Sequence, residues 1–242
     1  MPLALATAQH ADAARIAEIH MAAFGSNAML LAQFPTIAVR DSLKECIRSK
    51  AHADIDDPNI TVLVVRDSDT IGLGENKQDH KRPATERVVA FAKWAHPVST
   101  DEEYAETPWI WPDGTDLKVL QEWTRKVEDT QAHAVGESPY YRKQRADLIF
   151  PMDDLRELTI PDLSFIGTDP SYERRGAATM MIQWGIDQCK KHGVPAYLES
   201  TLEAAPLYRK LGFIEMEKIS LDYEVAGSEI TQTYEEIGFV YR

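Results

Sequence analysis

LSFIGTDPSYERRGAATMM, residues 163–181, is the stretch from which the fold is read. It opens as a short strand-forming run, LSFIGT (163–168), and passes through Asp169 and Pro170. Two arginines, Arg174 and Arg175, then run into Gly176, Ala177, Ala178 and Thr179. Apolar residues at helical spacing follow, with Ala178, Ile182, Gly185, Ile186 and Cys189 on one face, to about Lys191, and Gly193 is placed to end the helix. The segment is therefore a strand, a tight turn and a helix. A helix start leaves N–H groups without partners and carries the positive end of the dipole. Residues with little side chain let a ligand approach that backbone closely. Two readings fit: a diphosphate site, with backbone amides and arginines around the anion, or a compact turn whose small residues serve packing.

Other phosphate-binding patterns do not fit. The chain has no GxxxxGK[ST]. IGLGENK (71–77) supplies half of a GxGxxG pattern, lacks the third glycine, and lies in a polar loop, SDTIGLGENKQDHKRPATE (68–86).

Outward from the core stretch, the spacing predicts strands at 3–9, 59–67, 87–97, 195–200, 213–224 and 235–242. Helices are predicted from Asp12, as cap, through Phe24, then at 39–51, from about Asp116, and at 202–213. Leu117, Leu120 and Val127 mark the apolar side of the 116 helix, with Trp123 and Trp111 nearby. Hairpin strands come first and a β-α-β-α-β passage later, so the fold class is α/β in the α+β sense, with a mixed sheet. Residues 98–161 read as a helical and aromatic insertion within one domain spanning 1–242.

The composition bounds the function. The 242 residues are 44% hydrophobic and 27% charged, with a formal net charge of -13. That balance argues against nucleic acid as a partner, because phosphate contacts need a basic face. Cys46 and Cys189 form no CxxC pair, and no run reaches membrane-spanning length, so a cytoplasmic protein without a membrane partner is expected. No HxH or HExxH spacing or Cys/His pairing suggests a metal, and no GxSxG suggests a hydrolase.

DPSYERRGAATMM (169–181) resembles the acyl-CoA signature of the GCN5-related N-acetyltransferases, Q/R-x-x-G-x-G/A after a strand and a proline. The pattern falls on Glu173 to Ala178. Glu173 departs from the Gln or Arg of the family, and Ala178 is the permitted alanine. APLYRKLGF (205–213) resembles the second mark of the family, a tyrosine followed by a glycine-phenylalanine pair. ADAARIAEIHMAAF (11–24) is similar to its first helix, and the chain's proportions are similar to those of fungal members.

The resemblance implies a mixed, mostly antiparallel sheet whose fourth and fifth strands, here 163–168 and 195–200, run parallel and splay apart. It implies acetyl-CoA as co-substrate, its pantetheine arm against Ile166, Gly167 and Thr168. The pyrophosphate would meet the amides of Arg174, Arg175, Gly176, Ala177, Ala178 and Thr179. Tyr208 matches the tyrosine that protonates the departing sulfur. Asp162, eleven residues before the first signature position, matches the place of the family's base, with Glu199 as its rival and water as a third possibility. His96 is a further candidate wall residue. Three functions compete: N-acetyl transfer to a small-molecule amine, protein N-acetylation, and acyl-CoA binding without turnover. The state is expected to be monomer or homodimer.

Overall fold

The computed structural model describes residues 3–68, 87–96, 104–135, 162–225 and 227–242. Seven strands form one sheet: β1 (Leu3–Thr7), β2 (Ile60–Asp67), β3 (Arg87–Ala95), β4 (Asp162–Thr168), β5 (Ala196–Thr201), β6 (Ile214–Glu224) and β7 (Thr231–Tyr241). Their order is β1-β2-β3-β4-β5-β7-β6. Every neighbouring pair is antiparallel except β4 and β5.

The helices are α1 (Ala13–Phe24), α2 (Ala28–Gln33), α3 (Ile37–Asp56), α4 (Leu117–Val135), α5 (Ala177–His192) and α6 (Ala205–Lys210). Strand alternation decides which helix covers which face. In β2, Leu63 and Val65 join the cluster built on α5, whereas Val62 and Val64 join the cluster built on α1. Both faces of the central strands are thus covered, which is why they read as continuous apolar runs. On the α5 face, a Cβ placed on Gly185 would come within 2.1 Å of the Trp94 ring. The glycine allows the helix to lie directly on that indole, whose Nε1 donates to the Met181 carbonyl at 3.3 Å.

Several sequence expectations need correction. Asp12 does not cap α1 with its side chain; its carboxylate accepts from the Gln9 amide and from Arg66. The turn at Asn27–Gln33 holds a helix that the apolar spacing did not suggest, capped by Asn27 Oδ1 on the amides of Met29 and Leu30. The 39–51 helix extends over Ile37–Asp56 because Thr36 caps it. Leu117 is exposed, while Leu120 and Val127 are buried as expected. The last strand begins at Thr231, and the 202–213 helix contracts to Ala205–Lys210. Gly193 does end α5, in the left-handed region at φ 68°.

The expected 68–86 loop and the IGLGENK pattern lie outside the described residues, apart from Ser68, and so does much of 98–161. Within that segment Trp109 and Trp111 are described. They stack on each other and pack against the α1–α3 cluster that includes Phe34 and Leu43. Among the described residues, no helix is long and apolar enough to cross a membrane.

Candidate functional site

The central irregularity of the sheet lies between β4 and β5. They share a single paired position, Asp162 opposite Tyr197. On its other side β4 is laddered to β3 from Asp162 to Thr168, and β5 is laddered to β7 along its whole length. Beyond that one bridge the two parallel strands part.

Ile166, Gly167 and Thr168 occupy the end of β4, opposite Ala92, Phe91 and Ala90 of β3. Gly167 has a packing reason of its own, since a Cβ there would come within 2.8 Å of the Phe91 ring. After β4 the chain turns at Asp169, whose carboxylate accepts from the Ser171 amide at 2.9 Å and pairs with Arg15. Burial works to raise its pKa, but the Ser171 amide and Arg15 outweigh it and hold the group below the usual carboxylate value.

The RRGAAT residues then separate into different roles. Arg175 Nη1 lies 2.6 Å from Asp67 Oδ2, and its guanidinium lies 5.4 Å from the Tyr172 ring centroid. Arg174 is exposed and adopts the left-handed conformation at φ 63°. Gly176, the residue before α5, has φ 92°, and no atom lies within 4 Å of where its Cβ would be. Ala177 is buried in the core, Ala178 is half-buried and Thr179 is exposed. The turn is therefore both packed and open: Ala177 faces inward, while Gly176 leaves clear space before the first amides of α5.

A cavity of about 340 Å³ draws its walls from both parting strands. Leu163 to Ile166 come from β4, Glu199 to Thr201 from β5, and Tyr208 from α6. Helix α4 contributes Leu120, Trp123, Thr124, Val127 and Glu128, and Trp109 and Trp111 close another side. Tyr208 is 4% exposed, its ring edge-on to Phe213 and tilted against Phe239. Burial first, and the negative charge of Glu236 second, push its phenol pKa up. Glu236 Oε1 accepts from the Tyr234 hydroxyl at 2.6 Å, and that hydroxyl accepts from Asn27 Nδ2 at 2.7 Å.

Tyr208 and Glu199 thus share one cavity. The structure describes the backbone of Asp162 only, at the start of β4 opposite Ala95. His96 lies elsewhere: its Nε2 is 2.6 Å from Thr61 Oγ1, its amide donates to Asn59, and it lines no part of this cavity. Burial, then His192, lower its pKa.

Other lining residues were not singled out from the sequence. His20 is surrounded by the rings of Phe24, Phe91 and Phe165, and burial lowers its pKa to about 4. Glu128 carried a readable signal, because it occupies an i+8 position of the apolar stripe Leu120, Trp123, Thr124 and Val127. Glu236 needed the register. It lies opposite Thr201, while Glu199 lies opposite Gly238, so the two carboxylates are diagonal neighbours on one face. Beneath Trp109, Lys50 and Lys93 pair with Asp54 and Glu106, and all four side chains are largely buried. Burial works against the charge of Lys93, but Asp54 and Glu106 outweigh it and raise its pKa.

With this geometry, the chain matches the acetyltransferase (GNAT) family over residues 149–213. A probable acyltransferase, SID5, of Ajellomyces capsulatus is 46% identical over 48 residues, 20% of this chain. The match spans about a third, 33%, of the length of that curated relative. A solved structure described as histone acetyltransferase HPA2 and related acetyltransferase, from Corynebacterium glutamicum ATCC 13032, aligns with a TM-score of 0.53 at 17% identity, over 99% of this chain and 96% of that one. The PaiA N-acetyltransferase of Thermoplasma acidophilum, solved in complex with coenzyme A, aligns with a TM-score of 0.50 at 10% identity, over 100% of this chain and 99% of that one. At such identities the solved structures establish the fold alone.

Proposed function

We propose, on the premise that this chain is a member of the GNAT acetyltransferase superfamily, that it transfers an acetyl group from acetyl-CoA to a primary amine of a small molecule. The transfer is by direct attack with both substrates bound. The observation that carries the reading is the conjunction of an open helix start at Gly176 with a cavity that holds Glu199 and Tyr208 where β4 and β5 part.

The pyrophosphate of acetyl-CoA meets the amides from Arg174 to Thr179, where the helix dipole and unfilled N–H groups favour an anion. Arg174 faces the solvent side of that anion, and Arg175 holds the turn to Asp67. The pantetheine amides run along Ile166, Gly167 and Thr168 as an extra half-strand. The amine reaches the thioester from the cavity, losing its proton to Glu199, to Asp162 or to water. Its lone pair forms the C–N bond, the C–S bond breaks, and the departing sulfur takes its proton from Tyr208. Tyr208 carries the proton this step needs, and burial and Glu236, by raising its pKa, make it a weaker donor than a free tyrosine until a thiolate develops beside it. Support for a small acceptor comes from α4 and the tryptophan turn, which cover the cavity that an extended peptide would need open.

Acetyl-CoA should raise the melting temperature of the protein, and Gly176→Asp should abolish the rise. Any side chain at φ 92° is strained, so Gly176→Ala serves as the control: it shares the strain, adds no charge, and should keep most of the rise. Absence of any rise in the parent protein would sink the reading. A rise without thiol release for any amine would leave an acyl-CoA-binding protein. Thiol release with peptides alone would make the acceptor a protein.

A further inference from the structure

We infer that Asn27 and Tyr234 are positioning residues for Tyr208 and act on it through Glu236. A one-way hydrogen-bond chain, Asn27 to Tyr234 to Glu236, ties the start of α2 to β7 and fixes the Glu236 carboxylate in the cavity that holds Tyr208. What Tyr208 does with its proton rests on the transferase reading; the coupling itself does not.

The atoms set the direction of the chain. Asn27 Oδ1 accepts from the amides of Met29 and Leu30 at 2.9 and 3.1 Å, so the side-chain nitrogen is the end turned to β7. It donates to the Tyr234 hydroxyl at 2.7 Å. A phenol has one hydrogen, and Tyr234 gives it to Glu236 Oε1 at 2.6 Å. Burial first, then Glu236, raise the Tyr234 pKa, so that hydrogen stays in place. Bonds in series polarise one another. Tyr234 and Glu236, two residues apart on β7, share one face of the strand. Trp123 of α4 lies edge-on to the Tyr234 ring, with centroids 5.1 Å apart.

The consequence falls on Tyr208. A carboxylate near a phenol opposes its ionisation, and Glu236 acts on Tyr208 in that sense, second to burial. The hydrogen donated by Tyr234 draws off part of the carboxylate's charge and holds the group in one place. The chain therefore moderates the charge that Tyr208 meets. Charged groups on the neighbouring elements include Glu199 of β5, Glu128 of α4, Lys93 of β3 with Glu106, and Arg209 of α6 with Glu215. Substitutions confined to Asn27, Tyr234 and Glu236 hold those charges constant.

The test places 3,5-difluorotyrosine at position 208 of the full chain, without CoA. Fluorine makes the phenol acidic enough to titrate while the protein is folded, and its fluorine NMR resonance gives the ionisation constant. Glu236→Gln should increase that constant about tenfold. Tyr234→Phe keeps the ring against Trp123 but removes the hydrogen, and should decrease the constant about twofold. Asn27→Ser keeps a capping oxygen for α2 but removes the donor, and should give a smaller decrease. Both decreases should vanish once Glu236→Gln is added, as a double-mutant cycle reads. A purely packing role for Tyr234 and a purely capping role for Asn27 would leave the constant unmoved, and that result overturns the inference. A decrease that persists without the carboxylate overturns it too. Where Glu236→Gln does not fold, the Tyr234→Phe titration alone decides. Thiol release from acetyl-CoA is followed in parallel over a panel of amines. The expected shifts without thiol release for any amine uphold the chain and sink the transferase reading. Unmoved constants beside ready thiol release do the reverse.

Discussion

Arg175 reaches back from the turn before α5 to Asp67 at the end of β2, Nη1 to Oδ2 2.6 Å, and so joins the proposed pyrophosphate cradle to the sheet. Side-chain exposure is 3% for the aspartate and 36% for the arginine, so the carboxylate is the member that depends on the pair. Arg175→Met should lower stability in urea by about 2 kcal/mol, the scale of a hydrogen bond to a charged group. The acetyl-CoA-induced rise in melting temperature should survive. Arg174→Met, at an exposed position, should do the opposite: unchanged stability and a smaller rise.

Tyr208→Phe should lower turnover about 100-fold, the ordinary scale of a general acid, and leave acetyl-CoA binding nearly intact. Steady-state kinetics beside a thermal-shift titration would separate the two effects. An unchanged rate would remove Tyr208 from the mechanism. Burial and Glu236 both favour the neutral phenol. This contribution to stability is therefore complete below the ordinary tyrosine pKa, near pH 10, and is lost as pH rises further. The alkaline limb of activity should accordingly not belong to Tyr208.

His20 yields a prediction at the acidic end. In the unfolded chain it takes up a proton near pH 6.5, and in the fold only near pH 4. Between these values the unfolded state binds more protons, so this stability is complete above pH 6.5 and falls as pH drops toward 4. The loss should approach about 3 kcal/mol. Urea midpoints at pH 7.5 and 4.5 should fall further apart in the parent than in His20→Leu. Equal slopes would mean that His20 is charged in the fold.

Glu106→Gln should cost about 3 kcal/mol, because it leaves Lys50 and Lys93 to share Asp54 in a buried setting. Adding Lys50→Met should recover part of that loss, which a double-mutant cycle would measure. Glu106 also anchors the segment that carries Trp109 to α3 and β3.

The sequence carried the strand-turn-helix at 163–192 well because local rules govern it: alternation, a left-handed glycine at each end of α5, and helical spacing between them. The RRGAAT turn was harder. Sequence alone made both arginines candidates for the anion, whereas the fold gives Arg175 to Asp67, a residue 108 positions away. The same limit applies to the acidic wall. Glu199 was visible on its strand, but its proximity to Glu236 depends on β5–β7 register, a non-local property. The Lys50–Asp54–Glu106–Lys93 group was likewise illegible, because it joins a helix, a strand and an irregular segment. Glu128 was legible as a carboxylate interrupting an apolar stripe, and Leu117 misled because the first turn of α4 projects beyond the packed surface.

The single rung between β4 and β5 also bears on the mechanics of the molecule. The sheet consists of two panels, β1 to β4 and β5-β7-β6, each riveted along its length and joined through its hydrogen-bond ladder at one point. A co-substrate whose amides lie along β4 would act as a splice plate across that seam. Its departure as free CoA would keep much of the splice, so amide hydrogen exchange at Ile166 and Thr168 should report occupancy of the seam and be nearly blind to whether the acetyl group has been transferred.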